Sequence, residues 1–318
     1  MSIIIPYKED FEHHQHRRKR NHDYREPWKY HITIGKHPDC PDFSVLKWER
    51  LLPEEVDVRY TAIGRQISKA IKNIPAIEPR MQVYQYKIMP DHIHLLVHVK
   101  ERMPRLLGEV IHDFKSLITS SLRNIMNDGN LKVFTPNFND KIIYPDRSLN
   151  DIYDYIRQNP YRLAVRRARP AFFRKHRNIL AGGREVQAYG NLFHLRNPFK
   201  YPLIVHRADD ERSFRGKLEE CLYHSLNGGV IVSAFISQRE KEIRKAIEQA
   251  GGRIILIHDR PLAEKEKPAK HDFDLCCEGR LLMISPVEYL SIPKSDHPSR
   301  TQCLDMNSLA SSIAEAKP

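Results

Sequence analysis

Met89-Pro90-Asp91-His92-Ile93-His94-Leu95-Leu96-Val97 places two imidazoles at i and i+2 just after a proline corner. Val83-Tyr84-Gln85-Tyr86-Lys87-Ile88 precedes it, so β-branched and aromatic residues flank a Pro-Asp turn, the pattern of two adjacent strands. Residues i and i+2 of a strand point to the same side. Ile93, Leu95, Val97 and Val99 therefore make an apolar face for helices, and His92, His94 and His98 line an opposite, open face. Two neutral imidazoles on a rigid strand are half of a metal site, although an isolated H-x-H is more often the polar side of an amphipathic strand.

Working outward, the order from Trp28 to Arg177 is strand (30–34), helix (60–73), strand (81–89), strand (92–100), helix (106–125), a loop with short extended pieces, and helix (149–159). This order predicts an α+β, ferredoxin/RRM-like antiparallel sheet with helices on one face. From Tyr201 the pattern changes. Strand-like runs at 202–206, 229–233, 253–258 and 280–285 alternate with helical runs at 210–222, 239–250 and 303–316. That is the pattern of a doubly wound, Rossmann-like α/β domain with a parallel sheet. The expected divisions are a flexible basic arm (1–26), a first domain (27–178), a linker (179–200) and a second domain (201–318).

The 318 residues are 41% hydrophobic and 29% charged, enough for two cores. No apolar run approaches the roughly 18 residues of a membrane span, and the N-terminus lacks a secretory apolar stretch, so the expected location is cytoplasmic. Cys40, Cys221, Cys276, Cys277 and Cys303 have no C-x-x-C spacing and read as reduced thiols. Residues 1–190 hold 33 Lys and Arg against 22 Asp and Glu, net +11; residues 191–318 hold 19 against 18, net +1. Such a split suggests a polyanion-binding first part joined to a nearly neutral second part. Its basic clusters are Arg17, Arg18, Lys19 and Arg20, and a run from Arg162 through Arg166 and Arg167 to Arg177.

The helix from Leu149 is the second informative element. Ser148 and Asp151 form an S-x-x-D capping signal, and Pro160 marks the expected far end. Leu149, Ile152 and Ile156 make a buried stripe, with Tyr155 and Asn159 one turn apart on one flank. On pattern alone Tyr155 is a packing residue and Asn159 a helix cap.

Met89 to Val97 and Tyr155-Ile156-Arg157-Gln158-Asn159-Pro160 together resemble two signatures of the single-tyrosine HUH (IS200-like) transposases, in particular the REP-associated tyrosine transposases. Arg20-Asn21-His22-Asp23-Tyr24, Tyr30 to Ile34, Phe114-Lys115-Ser116 and Phe138 to Ile143 extend the resemblance to about residues 17–170. The resemblance implies that Tyr155 is a nucleophile forming a 5′-phosphotyrosine, that His92, His94 and Asn159 hold Mg²⁺ or Mn²⁺, and that the partner is single-stranded or hairpin DNA. It leaves monomer and homodimer open. Arg17, Arg18, Lys19, Arg20, Lys115, Arg162, Arg166 and Arg167 are the expected DNA contacts. Asp91 departs from the commoner Asn, and the second half departs from ordinary members, which lack it. The other class of reading is a DNA- or RNA-binding regulatory protein with an inactive fold and a sensing second domain.

Gly228 to Ser237, followed by Gly251-Gly252-Arg253-Ile254-Ile255, weakly resembles the nucleotide-binding core of DNA-processing protein A and lysine-decarboxylase-like proteins. A capped helix start after a strand can hold a phosphate, making Ser233 and Ser237 candidates for a nucleotide. An ordinary strand-to-helix junction fits the same residues.

Overall fold

The computed structural model describes residues 19, 21–144, 149–206, 208–262, 268, 270–291 and 297–316. The chain divides into two compact units, 1–164 and 165–318.

In the first unit β1 (Lys29–Lys36), a hairpin of β2 (Ser44–Lys47) and β3 (Asp57–Tyr60), α1 (Ala62–Lys72), α2 (Ile74–Ile77), β4 (Met81–Ile88), β5 (His92–Val99), α3 (Leu107–Met126), β6 (Phe134–Ile143) and α4 (Leu149–Ala168) follow in order. The main sheet runs β4-β5-β1-β6 with every pair antiparallel, the expected ferredoxin-like antiparallel sheet with one strand more than the sequence order indicated. Alternation sends Tyr30, Ile32 and Ile34 of β1 and Ile93, Leu95 and Val97 of β5 into one core with Ile67 and Ile71 of α1 and Val110, Phe114 and Ile118 of α3.

The other face is not open. Leu96, Ile143 and Ile156 form a smaller buried cluster against which Leu149 and Ile152 pack, so α4 lies across part of the histidine side of the sheet. The apolar stripe of α4, read correctly from sequence, requires such a partner surface.

Two other expectations change here. The segment read as a loop contains the ten-residue β6, which among the described residues pairs only with β1. As an edge strand it tolerates Pro136, whose missing N–H breaks no ladder. Helix α4 continues through Pro160 to Ala168. Proline removes the bond to the Ile156 carbonyl, at a cost of roughly 3 kcal/mol, but Ala164 and Val165, 0% and 2% exposed, reward the further turn. Ser148 lies outside the described residues.

The second unit contains β7 (Lys175–Ala181), β8 (Arg184–Gly190), β9 (Lys200–Pro202), α5 (Glu211–Leu226), β10 (Val230–Ser233), α6 (Gln238–Gln249), β11 (Arg253–Ile257), α7 (Lys270–Cys277), β12 (Leu281–Pro286) and α8 (Arg300–Glu315). Its sheet is ordered β7-β8-β12-β11-β10-β9, with β9 to β12 parallel and β7 and β8 antiparallel. The expected linker is therefore built into the sheet: Val186 to Gly190 pair with Leu282 to Pro286. Val186 and Ala188 are buried, and burial of that face outweighs the loop-like look of Gly182-Gly183.

Cys221 of α5, Ile243 and Ile247 of α6 and Cys276 of α7 pack on one face, while Met306, Leu309 and Ile313 of α8 cover the other. The parallel strands follow one another without reversal, so they create no topological switch point, the usual nucleotide crevice of a doubly wound sheet. The expected arm also ends earlier. Tyr24 is 7% exposed and His22 Nε2 lies 2.9 Å from Tyr30 Oη, so residues 21–26 belong to the folded unit. Arg17, Arg18 and Arg20 lie outside the described residues.

No helix among the described residues is long and apolar enough to cross a membrane.

Candidate metal centre and nucleophile

The corner before His92 is pinned by backbone bonds from three directions. Met89 N donates to His92 O at 2.8 Å, Phe43 N to Pro90 O at 3.0 Å and Lys36 N to Asp91 O at 2.9 Å. Phe43 is itself set by α1, because a Cβ on Gly64 would stand 2.0 Å from the Phe43 carbonyl oxygen. Only glycine lets the helix approach that closely.

On this corner His92 Nε2 and His94 Nε2 face each other at 2.9 Å. Asp91 Oδ1 lies 2.7 Å from His92 Nδ1, and a carboxylate only accepts, so the His92 proton sits on Nδ1 and its Nε2 presents a lone pair. His94 Nδ1 lies 3.0 Å from His31 Nε2 and 3.2 Å from Thr33 Oγ1. The network closes for either tautomer of His94. With the proton on Nε2 it bonds His92; with the proton on Nδ1 both Nε2 lone pairs converge on one point.

Burial, then the neighbouring His92 and His31, push the His94 pKa down to about 2, and burial pushes His31 down to about 4. Both rings are neutral at pH 7, the state a metal needs. Two ligand bonds of about 2.1 Å at right angles span about 3.0 Å, which the pair already matches. Asn159, 5% exposed, hydrogen-bonds His94 through its side chain, and its Nδ2 donates to Tyr155 O at 3.2 Å. Among the described residues no three His, Cys, Asp or Glu side chains form a metal-binding group. His31 lies on the Nδ1 side of His94, away from the facing Nε2 atoms, which leaves the Asn159 amide beside His94 as the candidate third ligand. The residues thus fit a divalent ion.

Tyr155 completes the cluster. Its ring lies 5.6 Å from that of His94 and 5.7 Å from that of His31, both edge-on, yet it is 42% exposed. A phenol fixed by two rings and open to solvent can meet an incoming phosphate. Across β1 from His92 stands Gly35, with no side chain beyond hydrogen.

The four residues carried over by resemblance are brought together, and the rest are scattered. Lys115 belongs to α3 on the other face, and its Nζ donates to Thr135 O and Pro136 O at 2.7 Å each. Lys19 bonds Tyr144 Oη and sits 4.8 Å above that ring. Arg162 is half-buried, Arg167 is exposed, and Arg166 stacks on Phe273 at 5.9 Å inside the second unit. Ser233 Oγ accepts from Phe235 N at 3.1 Å, and Ser237 caps α6. The buried Glu240 carboxylate accepts from Val205, Ile236 and Ser237 N at 3.1, 2.8 and 2.9 Å. The helix start proposed for a phosphate already holds the chain's own carboxylate. Sequence reading missed His31 and Thr33, although alternation in Tyr30 to Ile34 puts both on the histidine side.

Residues 54–159 match the family model described as "Transposase IS200 like". A protein of Haemophilus influenzae, itself uncharacterized, is 23% identical over 179 residues, covering 50% of this chain and 94% of that one. Two solved structures are also similar. One is a REP-associated tyrosine transposase bound to a REP hairpin, with 13% identity and a TM-score of 0.29, covering 44% of this chain and 68% of that one. The other is a protein of Deinococcus radiodurans described as a candidate transposase, with 12% identity and a TM-score of 0.27, covering 44% of this chain and 95% of that one.

Proposed function

We propose that the first unit, whose residues 54–159 match the IS200-like transposase model, is a metal-dependent endonuclease and strand transferase acting on single-stranded or hairpin DNA in the cytoplasm. The observation that carries this reading is the convergence of His92 Nε2 and His94 Nε2 at 2.9 Å beside the exposed Tyr155 and the Asn159 amide.

His92, His94 and Asn159 would hold Mg²⁺ or Mn²⁺, which when bound draws electron density from the phosphate oxygens and so lowers the barrier to attack on a doubly shielded anion. Asp91 keeps the His92 proton on Nδ1, and His31 and Thr33 supply acceptors for a proton on His94 Nδ1. Tyr155 Oη attacks phosphorus, the P–O3′ bond breaks, and the phenolic proton ends, directly or through water, on the departing 3′-oxygen. The phosphate stays on the 5′ side as a phosphotyrosine ester. Its bond energy is retained, so a free 3′-hydroxyl can reverse the step on the same or another strand.

The test is incubation of an end-labelled single-stranded hairpin with the protein and Mn²⁺, followed by denaturing gel and peptide mass mapping. An adduct on Tyr155, absent in Tyr155→Phe while DNA binding persists, supports the reading. An adduct on Tyr153 or Tyr161 overturns the assignment of the nucleophile. No adduct with intact DNA binding favours a regulatory protein on an inactive fold.

A further inference from the structure

The observed boundary between the units reverses the charge argument. Residues 165–318 hold 26 Lys and Arg against 19 Asp and Glu, net +7; residues 1–164 hold 26 against 21, net +5. Most of the basic run after α4 folds into the second unit, where Arg169 bonds the Cys277 carbonyl and Arg174 ends the 3₁₀ turn at 170–173.

Beside that turn is a cavity of about 550 Å³, within the range of small-ligand sites. Its walls include Phe172, Ile179, Leu195 and Ile313, and among the described residues no Asp or Glu lines it. Arg174 and Arg196 stand at its rim, both exposed, with Phe193 68% exposed between solvent and cavity. The walls are tied to each other. Lys200 Nζ donates to Leu195 O and Asn197 O of one wall at 3.2 and 2.7 Å and to Ala316 O of another at 2.9 Å.

We infer that this cavity is a nucleic-acid contact of the second unit, in which an unstacked base enters against Phe193 and Phe172 while Arg174 and Arg196 meet the flanking phosphates. Three features select that ligand. An apolar interior accepts a π-face of any base, and an exposed phenylalanine at the mouth is a stacking platform. Two guanidiniums with no carboxylate among the lining residues make a local anion field, and Arg suits phosphate geometry. Cross-tied walls keep the cavity preformed, so little ordering cost opposes binding. The inference rests on the reading of this chain as one that handles single-stranded DNA, but it concerns binding and is independent of any adduct on Tyr155.

The full-length Tyr155→Phe protein, with a fluorescent unstructured 12-mer containing 5-iodouracil, separates the two readings. Crosslinking under ultraviolet light is expected on a peptide containing Phe172 or Phe193. Phe193→Ala should weaken binding about tenfold, the loss of one stacked base, and Arg174→Gln with Arg196→Gln should flatten the slope of log affinity against log salt by about 1.4, roughly 0.7 for each phosphate of a single strand. Circular dichroism melts matching the parent exclude a folding defect. Because Arg174→Gln and Arg196→Gln are surface changes, they serve if Phe193→Ala does not fold. Parental affinity and parental salt slope in the variants overturn the inference wherever crosslinks fall, as does crosslinking confined to residues 1–164. Displacement of the 12-mer by thymidine monophosphate at matched nucleotide concentration would assign the cavity to a free nucleotide and equally overturn a strand contact.

Discussion

Acid should destabilise the cation-free first unit through His31, and replacing that residue should remove a definite share of the effect. In the folded unit burial holds His31 near about 4 and His94 near about 2, against an ordinary imidazole value of 6.5. Below pH 6.5 the unfolded chain takes up protons that the native one refuses, so native stability falls with falling pH and keeps falling until the native pKa is reached. At pH 5 the gap is about 1.5 pH units, or roughly 2 kcal/mol for each histidine. Wild type in EDTA should therefore lose about 4 kcal/mol from this pair between pH 7.5 and 5, and His31→Gln only about 2 kcal/mol. Contributions from other groups are common to both proteins and cancel in the comparison. Trp28 and Trp48 are the chain's two tryptophans and both lie in residues 1–164, so urea unfolding followed by tryptophan fluorescence reports that unit. Equal acid losses in the two proteins would refute the claim that half-buried His31 is held neutral behind His94.

Asp91→Ala should weaken Mn²⁺ binding about ten- to hundredfold, because the carboxylate that fixes the His92 tautomer is gone; isothermal calorimetry reads this, and unchanged affinity would leave Asp91 without an orienting role. Tyr155→Phe should leave that Mn²⁺ affinity within about twofold while abolishing the covalent adduct, since the phenol is not among the three proposed ligands. Glu240→Gln should speed amide exchange at Val205, Ile236 or Ser237 about ten- to hundredfold, because an amide with one oxygen cannot accept all three bonds; unchanged exchange would mean that water replaces the carboxylate without loss.

The histidine hairpin and the tyrosine helix were legible because each carries a strong local period. Ile93, Leu95, Val97 and Val99 alternate cleanly, and Leu149, Ile152 and Ile156 repeat at helical spacing, so the buried face of each element followed from sequence, whereas the packing of the tyrosine helix on the histidine side of the sheet did not. Strand β6 was hidden because Thr135-Pro136-Asn137 and Asn139-Asp140 look like a turn, and only its place at the sheet edge makes that composition tolerable. Helix α4 runs past Pro160 because the burial of Ala164 and Val165, about one turn further on, is a tertiary gain that a local signal does not contain. His31 was visible as an alternating residue, but its contact with His94 joins positions 63 residues apart. Without the pairing register of β1 and β5, nothing in the sequence distinguishes it from any other polar-side histidine.

Charge was misread for a different reason, and that reason bears on function. Net charge depends on where a chain is cut, and a cut near 190 placed residues 165–190 with the wrong core. Val186, Ala188 and Tyr189 are buried against the second sheet, so burial decides that Arg166, Arg167, Arg169, Arg174, Lys175 and Arg177 belong to the second unit. Once they are moved, neither unit is neutral. A nearly neutral second domain would suit a sensor or a docking module; a net +7 domain whose cavity has arginines and, among the described residues, no carboxylate in its lining suits the polyanion contact proposed above. The filled start of α6 argues the same way. Because Glu240 already satisfies the backbone donors there, the α6 start is closed to an anion, and the arginines at the 170–196 cavity are the place at which the second unit is proposed to meet one.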